Sequence, residues 1–244
     1  MRSETTAILV DGGYYQHRAR ALWGAKSAQD RADELMHYCH LHLGNRYGKE
    51  IVHDDLYRIF YYDCPPYDGS VFHPLQQRNI NQRKTPMYTF MMEFHKIMRV
   101  QRKVAVRMGK LASNDRMYSL TIDAQKRLFR GEITLQELQE SDFRLSVNQK
   151  GVDMRIGLDI ASMAFKKQVT RIILIAGDSD FVPAAKLARR EGIDFILDPM
   201  EADISEDLSE HIDGIRSRVK AMRTYNPAPD AARSITPEQI GEET

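Results

Sequence analysis

Short apolar runs alternate along the chain with longer amphipathic stretches, and this pattern predicts alternating strands and helices. Thr6–Val10 is an apolar run stopped by Asp11-Gly12-Gly13, which is typical of a strand buried on both faces. Further strands are predicted over Leu56–Tyr62, Lys103–Met108, Arg171–Ala176 and Ile193–Leu197. The spacing of apolar residues predicts helices over Ser27–Leu43, Thr85–Val100, Val152–Lys167, Phe181–Arg190 and Ser205–Met222.

Strands that alternate with helices in this way predict an α/β fold, in which a central parallel sheet is flanked by helices on both faces. One domain is expected over residues 1–223, with a variable insertion at about 65–148 and a disordered tail at 224–244. Within the insertion, a helix is predicted near Ile122–Glu140. The apolar face of Thr85–Val100 is expected to belong to the core or to a homodimer interface.

The composition narrows the class of protein without naming a function. The 244 residues carry 35 basic and 34 acidic side chains, for a net charge of +1. This balance argues against a protein that coats nucleic acid through bulk charge, although it allows a local basic groove beside an acidic site. The two cysteines lack metal-site spacing, and no stretch is long and apolar enough for a signal peptide or a membrane span. A soluble cytoplasmic protein is therefore expected, with no membrane partner.

Acidic residues stand where two of the predicted strands end. Thr6–Val10 runs into Asp11, and Arg171–Ala176 runs into Gly177-Asp178-Ser179-Asp180. In open α/β sheets, ligands bind beyond the carboxyl ends of the strands, so Asp11 and Asp178 would face one crevice if the two strands are adjacent. Asp153 begins the helix that leads into the second of these strands and is expected near the same edge.

Three or four converging carboxylates repel each other unless a cation neutralises them, and hard cations such as Mg²⁺ and Mn²⁺ prefer oxygen ligands of this kind. A bound metal can activate water for phosphodiester displacement, so no protein nucleophile is required. The chain shows no GxSxG turn, Walker loop or GxGxxG loop.

Each acidic residue also has a purely structural interpretation. Asp11-Gly12-Gly13 is a common turn, and Asp178 or Ser179 would serve as the cap of the following helix. Asp153 and Asp180 would each stabilise a helix dipole from the first turn. Only their joint placement at strand ends favours a functional site.

Three motifs resemble the NYN domains of the PIN-like nuclease superfamily, and more specifically the LabA-like branch. They are AILVDGGY (Ala7–Tyr14), QKGVDMRIGLDIASMA (Gln149–Ala164) and IAGDSDFVPAAKLARREG (Ile175–Gly192). The resemblance implies a Rossmann-like PIN fold, a Mg²⁺ or Mn²⁺ site and endonucleolytic cleavage of RNA.

By motif position, the resemblance assigns the metal ligands to Asp11, Asp153 and Asp178 and adds Asp180 as a catalytic carboxylate. Asp159 and Ser179 are expected to contact and orient these carboxylates without binding the metal themselves. Tyr14 stands where the family often has asparagine, whose amide would orient a ligand or a carboxylate. This departure keeps open a second function, that of a catalytically silent RNA-binding or regulatory module.

A substrate RNA needs cations for its phosphates and flat groups for its exposed bases. Lys110, Lys150 and Arg18 are the predicted phosphate contacts because they lie close to the predicted strand ends. Tyr14 and Trp23 are candidates for base stacking, although a lone Trp is more often packed and partly buried. A phosphatase of the haloacid dehalogenase type is disfavoured, because that chemistry needs a second Asp where Gly13 stands.

Overall fold

Six parallel strands form the central sheet of the computed structural model, which describes residues 4–47, 50–112, 116–147 and 149–222. The predicted tail at 224–244 lies outside the described residues. In chain order, the strands are β1 (Thr5–Asp11), β2 (Gly44–Tyr47), β3 (Glu50–His53), β4 (Asp55–Asp63), β5 (Ser70–His73), β6 (Arg78–Asn81), β7 (Val104–Met108), β8 (Lys110–Leu111), β9 (Met117–Leu120), β10 (Phe143–Ser146), β11 (Gln149–Lys150), β12 (Arg171–Ile175), β13 (Asp194–Asp198) and β14 (Gly214–Ile215).

The order of strands across the central sheet is β14-β13-β12-β1-β4-β7, so the direction of winding reverses between β1 and β12. The two strands pair in parallel, with Val10 opposite Ile175 at their carboxyl ends. This pairing confirms the adjacency on which the predicted crevice depends. The reversal point is the position at which open α/β sheets bind their ligands.

Helices cover both faces of the sheet, which confirms the predicted fold class. They are α1 (Gly12–Trp23), α2 (Ala28–Leu43), α3 (Pro86–Val100), α4 (Ile122–Phe129), α5 (Val152–Phe165), α6 (Val182–Arg190), α7 (Glu206–Glu210) and α8 (Val219–Met222). Alternate residues of β1 point to opposite faces, as a pleated strand requires: Ala7 and Leu9 join the core beneath α5 and α6, and Ile8 and Val10 join the core beneath α1, α2 and α3.

No helix in the described part of the chain is long and apolar enough to cross a membrane.

The helix predicted over Ser205–Met222 is wrong. The structure has the short helix α7, the edge strand β14 and the short helix α8 in its place. The main chain of Asp213 donates to the Phe195 carbonyl at 2.8 Å, and its carboxylate accepts from the Phe195 amide at 2.9 Å. These bonds hold Gly214–Ile215 against β13, where pairing to the sheet outweighs local helix propensity.

The region at about 65–148 differs from the prediction of a simple insertion, because α3 and β7 belong to the central layers. Phe94 and Met98 of α3 are buried in the core, whereas Met87 at its beginning is 55% exposed. The segments outside those layers form the hairpin of β5 with β6, the hairpin of β9 with β10, and α4. The helix predicted near Ile122–Glu140 is shorter than expected, because α4 ends at Phe129 before Gly131, which has a φ of +69°.

At the amino edge of the sheet, the buried charges of Arg171 and Asp54 are paired with each other and hydrogen-bonded to neighbouring residues. The Arg171 guanidinium donates to Asp54 Oδ2 and to Asp194 Oδ2, each at 2.6 Å. Asp54 also accepts from Thr6 Oγ1 at 2.9 Å and from Asn45 Nδ2 at 2.7 Å. This network joins β1, β12 and β13 to the segment that precedes β4.

We expect Arg171→Ala to lower the free energy of unfolding by about 3–5 kcal/mol, because it leaves Asp54 buried without its cation. Chemical denaturation at neutral pH measures the loss. Arg83→Ala is the control, because Arg83 forms an ion pair with Asp68 in which both side chains are more than half exposed, and its removal should cost about 1 kcal/mol or less. Equal losses in the two variants would contradict the assigned role of Arg171.

Candidate active site

Asp11 ends β1 and at the same time begins α1. Its Oδ1 accepts a hydrogen bond from the Tyr14 amide at 3.1 Å, so the carboxylate is the cap of the helix. Gly12 allows the helix to begin this close to the sheet, because a Cβ there would lie 2.6 Å from the Tyr62 carbonyl oxygen. The structural interpretation of Asp11 as a cap therefore holds, and the same geometry places its second oxygen at the carboxyl edge.

The pKa of Asp11 is raised to about 6, chiefly by burial and also by the charges of Asp153 and Asp63, against the opposing effect of the Tyr14 amide. Among the described residues, no Lys, Arg or His forms an ion pair with this carboxylate. Asp11 is thus a largely buried acid whose negative charge is surrounded by further negative charge.

Asp153, Asp178 and Asp180 lie on the other side of the crevice. Gly151, with a φ of +78°, turns the chain into α5 and places Asp153 in the first turn of that helix. Partial burial raises the pKa of Asp153, and the charges of Asp178 and Asp180 add to the effect. Asp178 caps a short 3-10 helix, Ser179–Phe181, by accepting from the Asp180 amide at 3.1 Å. The electrostatic coupling connects Asp11 to Asp153, and Asp153 to Asp178 and Asp180.

Asp63, at the end of β4, is a carboxylate that the residue pattern alone predicts only as part of a strand break. It is buried, and its Oδ2 is hydrogen-bonded to His95 Nε2 at 2.9 Å and to the Tyr61 hydroxyl at 3.0 Å. Its Oδ1 accepts from the Cys64 amide at 2.7 Å and from Gln149 Nε2 at 3.5 Å. The sequence signal that indicates Asp11 also indicates Asp63, because each is an acidic residue directly after a buried apolar or aromatic run.

Tyr14 and Arg18 fasten α1 to the loop that follows β13. The Tyr14 hydroxyl donates to the Pro199 carbonyl at 2.5 Å, and its ring lies against Gly177, where any side chain would collide with it. Burial raises the pKa of Tyr14 to about 12, so the hydroxyl stays protonated. Arg18 Nη2 donates to the Met200 carbonyl at 2.7 Å.

The other predicted residues lie in three places. Lys110 of β8 pairs with Lys150 of β11, close in the chain to the beginning of α5. Asp159 accepts from the Tyr62 hydroxyl at 2.9 Å and from Arg107 Nε at 3.1 Å, so it connects α5 to β4 and β7. Ser179 is exposed within its 3-10 helix.

Residues 123–214 match the family model of the NYN domain. This segment carries an NYN domain, which belongs to the PIN-like nuclease superfamily. The match confirms the family predicted from the motifs, and it contains the second and third of them. The matched segment includes Asp153, Asp159, Asp178 and Asp180, whereas Asp11 precedes it. The finer placement in the LabA-like branch stays a prediction.

A solved structure of a protein of unknown function from Vibrio parahaemolyticus is 16% identical to the chain, with a TM-score of 0.44, over 88% of this chain and 94% of that one. No curated protein matches the chain significantly.

The carboxyl edge of the sheet presents oxygen donors that suit a hard divalent cation, although they do not form a closed cage. Within the described residues, no group of three or more His, Cys, Asp or Glu side chains is close enough to hold a metal ion. Mg²⁺ usually keeps several waters and needs only one or two carboxylates from the protein. Burial is the main cause of the raised pKa of Asp11, and the charge of Asp153 adds to it; a bound cation would offset both effects.

We expect Asp11→Asn to stabilise the folded protein at pH 7.5 in the absence of divalent cations. The folded protein holds the pKa of Asp11 near 6, above its ordinary value of 3.8, so ionisation costs stability increasingly as the pH rises between these values. Asparagine keeps the helix cap and removes that cost, which amounts to about 1–3 kcal/mol.

The measurement is denaturation of both proteins from pH 3.5 to 8, in which the difference should vanish below about pH 4. Glu93→Gln, which removes an exposed carboxylate on α3, is the matched control and should show no such trend. A destabilised Asp11→Asn at pH 7.5 would contradict the electrostatic account.

Proposed function

We propose that the protein is a metal-dependent endoribonuclease that hydrolyses RNA phosphodiester bonds at the carboxyl edge of its sheet. The observation that carries the proposal is the parallel pairing of β1 with β12, which brings Asp11 and the Asp178 loop to one crevice. The match of residues 123–214 to the NYN domain supports a nuclease at this place. The same motifs favour the LabA-like branch as the more specific assignment.

Asp11, Asp153 and Asp178 are the residues that would hold Mg²⁺ or Mn²⁺, one or two of them directly and the rest through the waters that such a cation keeps, and Asp180 lies next to them. When bound, the cation would supply the positive charge that activates water and stabilises the leaving oxygen. Asp11 is held in place by the Tyr14 amide, whereas Asp178 is held by the Asp180 amide. Both carboxylates therefore have one oxygen fixed by the main chain, which reduces the freedom of the other.

Positive charge for the RNA backbone is available where β8 pairs with β11. Lys110 and Lys150 are both exposed, and Lys150 lies just before the helix that carries Asp153 in its first turn. Two ammonium groups at this place would bind the phosphates that flank the reacting one. Arg18 is a weaker candidate, because its guanidinium already donates to the Met200 carbonyl.

A silent RNA-binding module is the second candidate function. Two observations favour it: the carboxylates of the described residues form no group of three that could hold a metal, and the Tyr14 side chain is committed to Pro199 and Gly177. The module would bind RNA at the same edge and leave it intact.

We expect the wild-type protein to cut end-labelled RNA in Mn²⁺ or Mg²⁺, and Asp153→Asn to lower the rate at least about 100-fold, because the variant loses one charge of the proposed site. Pools of single-stranded and structured RNA are the substrates, and gel analysis of the fragments is the readout. Glu93→Gln should cut as fast as the wild type. RNA that is bound by the wild type and never cut would establish the silent module instead.

We expect millimolar Mg²⁺ or Mn²⁺ to raise the Tm of the wild-type protein by about 2–5 °C, because ligands that bind only the folded state stabilise it. The shift should disappear in Asp11→Asn and persist in Glu93→Gln. This measurement does not depend on activity. A shift of the same size in Asp11→Asn would show that the cation binds elsewhere.

A further inference from the structure

A cleft of about 590 Å³ opens beside the carboxylate edge, between the beginning of α3 and the hairpin of β9 with β10. We call it the hairpin cleft and define it by Tyr67, Tyr88, Tyr118, Phe143, Arg20 and Arg144, with Asp63 and Gln149 at its inner end. Gln149 joins the cleft to the candidate active site: its Nε2 donates to Asp63 Oδ1 at 3.5 Å, and a Cβ on Gly13 would lie 3.8 Å from its Oε1.

The aromatic wall of the hairpin cleft is braced from behind. The buried ring of His73 packs against Tyr118 at 4.4 Å and against Phe143 at 5.1 Å between ring centroids. The buried Gln82 side chain donates to the Tyr118 hydroxyl at 3.0 Å. These contacts hold two flat rings at the surface of the cleft without filling it, and a rigid aromatic surface of this kind loses little entropy when it binds a second flat group.

Two arginines supply positive charge to the same cleft. Arg20, in the last turn of α1, and Arg144, in β10, are both exposed. Neither guanidinium forms an ion pair or a hydrogen bond with any described residue. By contrast, the guanidinium of the neighbouring Arg116 already lies over the Tyr67 ring, 4.2 Å from its centroid.

Aromatic rings combined with uncommitted guanidinium groups suit one chemical class, a flat base that carries a phosphate. Single-stranded nucleic acid is held by stacking of its bases on aromatic side chains and by pairing of its phosphates with cations. A base within a duplex has both faces covered by its neighbours and cannot enter. The volume of the cleft lies within the range of about 300–1,000 Å³ that is typical of small-ligand sites.

We propose that the hairpin cleft binds the base of one unpaired ribonucleotide next to the phosphate presented to the carboxylates. The proposal rests on the proposed nuclease function and adds a substrate requirement: the RNA must be single-stranded on the side of the cleft. Tyr88 and Tyr118 face the base, and Arg20 and Arg144 contact its phosphates. The selectivity thus comes from the segment at 65–148 rather than from the carboxylate edge.

The test is the binding of fluorescently labelled single-stranded RNA to the full chain that carries Asp153→Asn, in a metal-free buffer that prevents cleavage. In this background, Tyr88→Leu removes the stacking surface, and we expect about 5- to 150-fold weaker binding. Tyr57→Leu is the matched control, because Tyr57 packs on the opposite face of the sheet, and it should bind as the parent does. Thermal melting confirms that both variants fold.

A series of RNAs, each with one abasic position, distinguishes stacking from general loss of affinity. One abasic position should weaken binding to the parent, and the same position should have no effect on Tyr88→Leu. Arg144→Ala should weaken binding of single-stranded RNA and lower its salt dependence, whereas Arg190→Ala on α6 should leave both unchanged.

The proposal is overturned if no abasic position matters, or if Tyr88→Leu binds as tightly as the parent. Binding of a peptide in place of RNA would overturn it as well. Base-dependent binding by a wild-type protein that never cuts RNA would support the cleft and refute the nuclease. Cutting that is indifferent to Tyr88→Leu would support the nuclease and refute the cleft.

Discussion

Negative charge buried without a cation is the constraint around which the carboxyl edge of the sheet is built. At the amino edge, the buried Asp54 forms an ion pair with Arg171, which also pairs with the partly exposed Asp194. At the carboxyl edge, Asp63 has the imidazole of His95, whereas Asp11 accepts from the Tyr14 amide and has no cationic partner among the described residues. Because the acid at the carboxyl edge lacks the cation that its counterpart at the amino edge has, the carboxyl edge attracts positive charge.

Much of the sheet could be predicted because its strands are buried on both faces. Thr6–Val10 and Arg171–Ala176 are continuous apolar runs, and a short apolar run between turn residues is typical of a strand buried in a parallel sheet. The predicted crevice then depended on a single pairing, that of β1 with β12. The residues alone left that pairing conditional, because strand order is a property of the whole chain, and the structure supplies it.

The failures lie where tertiary contacts outweigh local pattern. Gly214–Ile215 is too short to read as a strand, and it becomes one because Asp213 bonds both main-chain groups of Phe195. The helix α1 was missed because it begins with two glycines, which are poor helix formers. Gly12 is needed there because the main chain lies close to Tyr62, and this close approach exists only once the sheet is formed. Asp63 directly follows buried strand residues, as Asp11 does, but the residues nearby do not reveal its partner His95, which is 32 residues away on α3.

The tyrosine at position 14 has less effect on the site than its side chain suggests. The hydrogen bond that orients Asp11 comes from the main-chain amide of Tyr14, and every residue type except proline supplies that amide. What tyrosine changes is the packing: its ring covers Gly177 and its hydroxyl reaches Pro199, so the ends of β1, β12 and β13 are joined directly. The loop that carries Asp178 is therefore positioned by van der Waals contact with a rigid ring, where an asparagine would have offered a hydrogen bond. Such contact restrains the loop without consuming an oxygen of any carboxylate, so it is compatible with a site whose remaining oxygens are free to bind a cation.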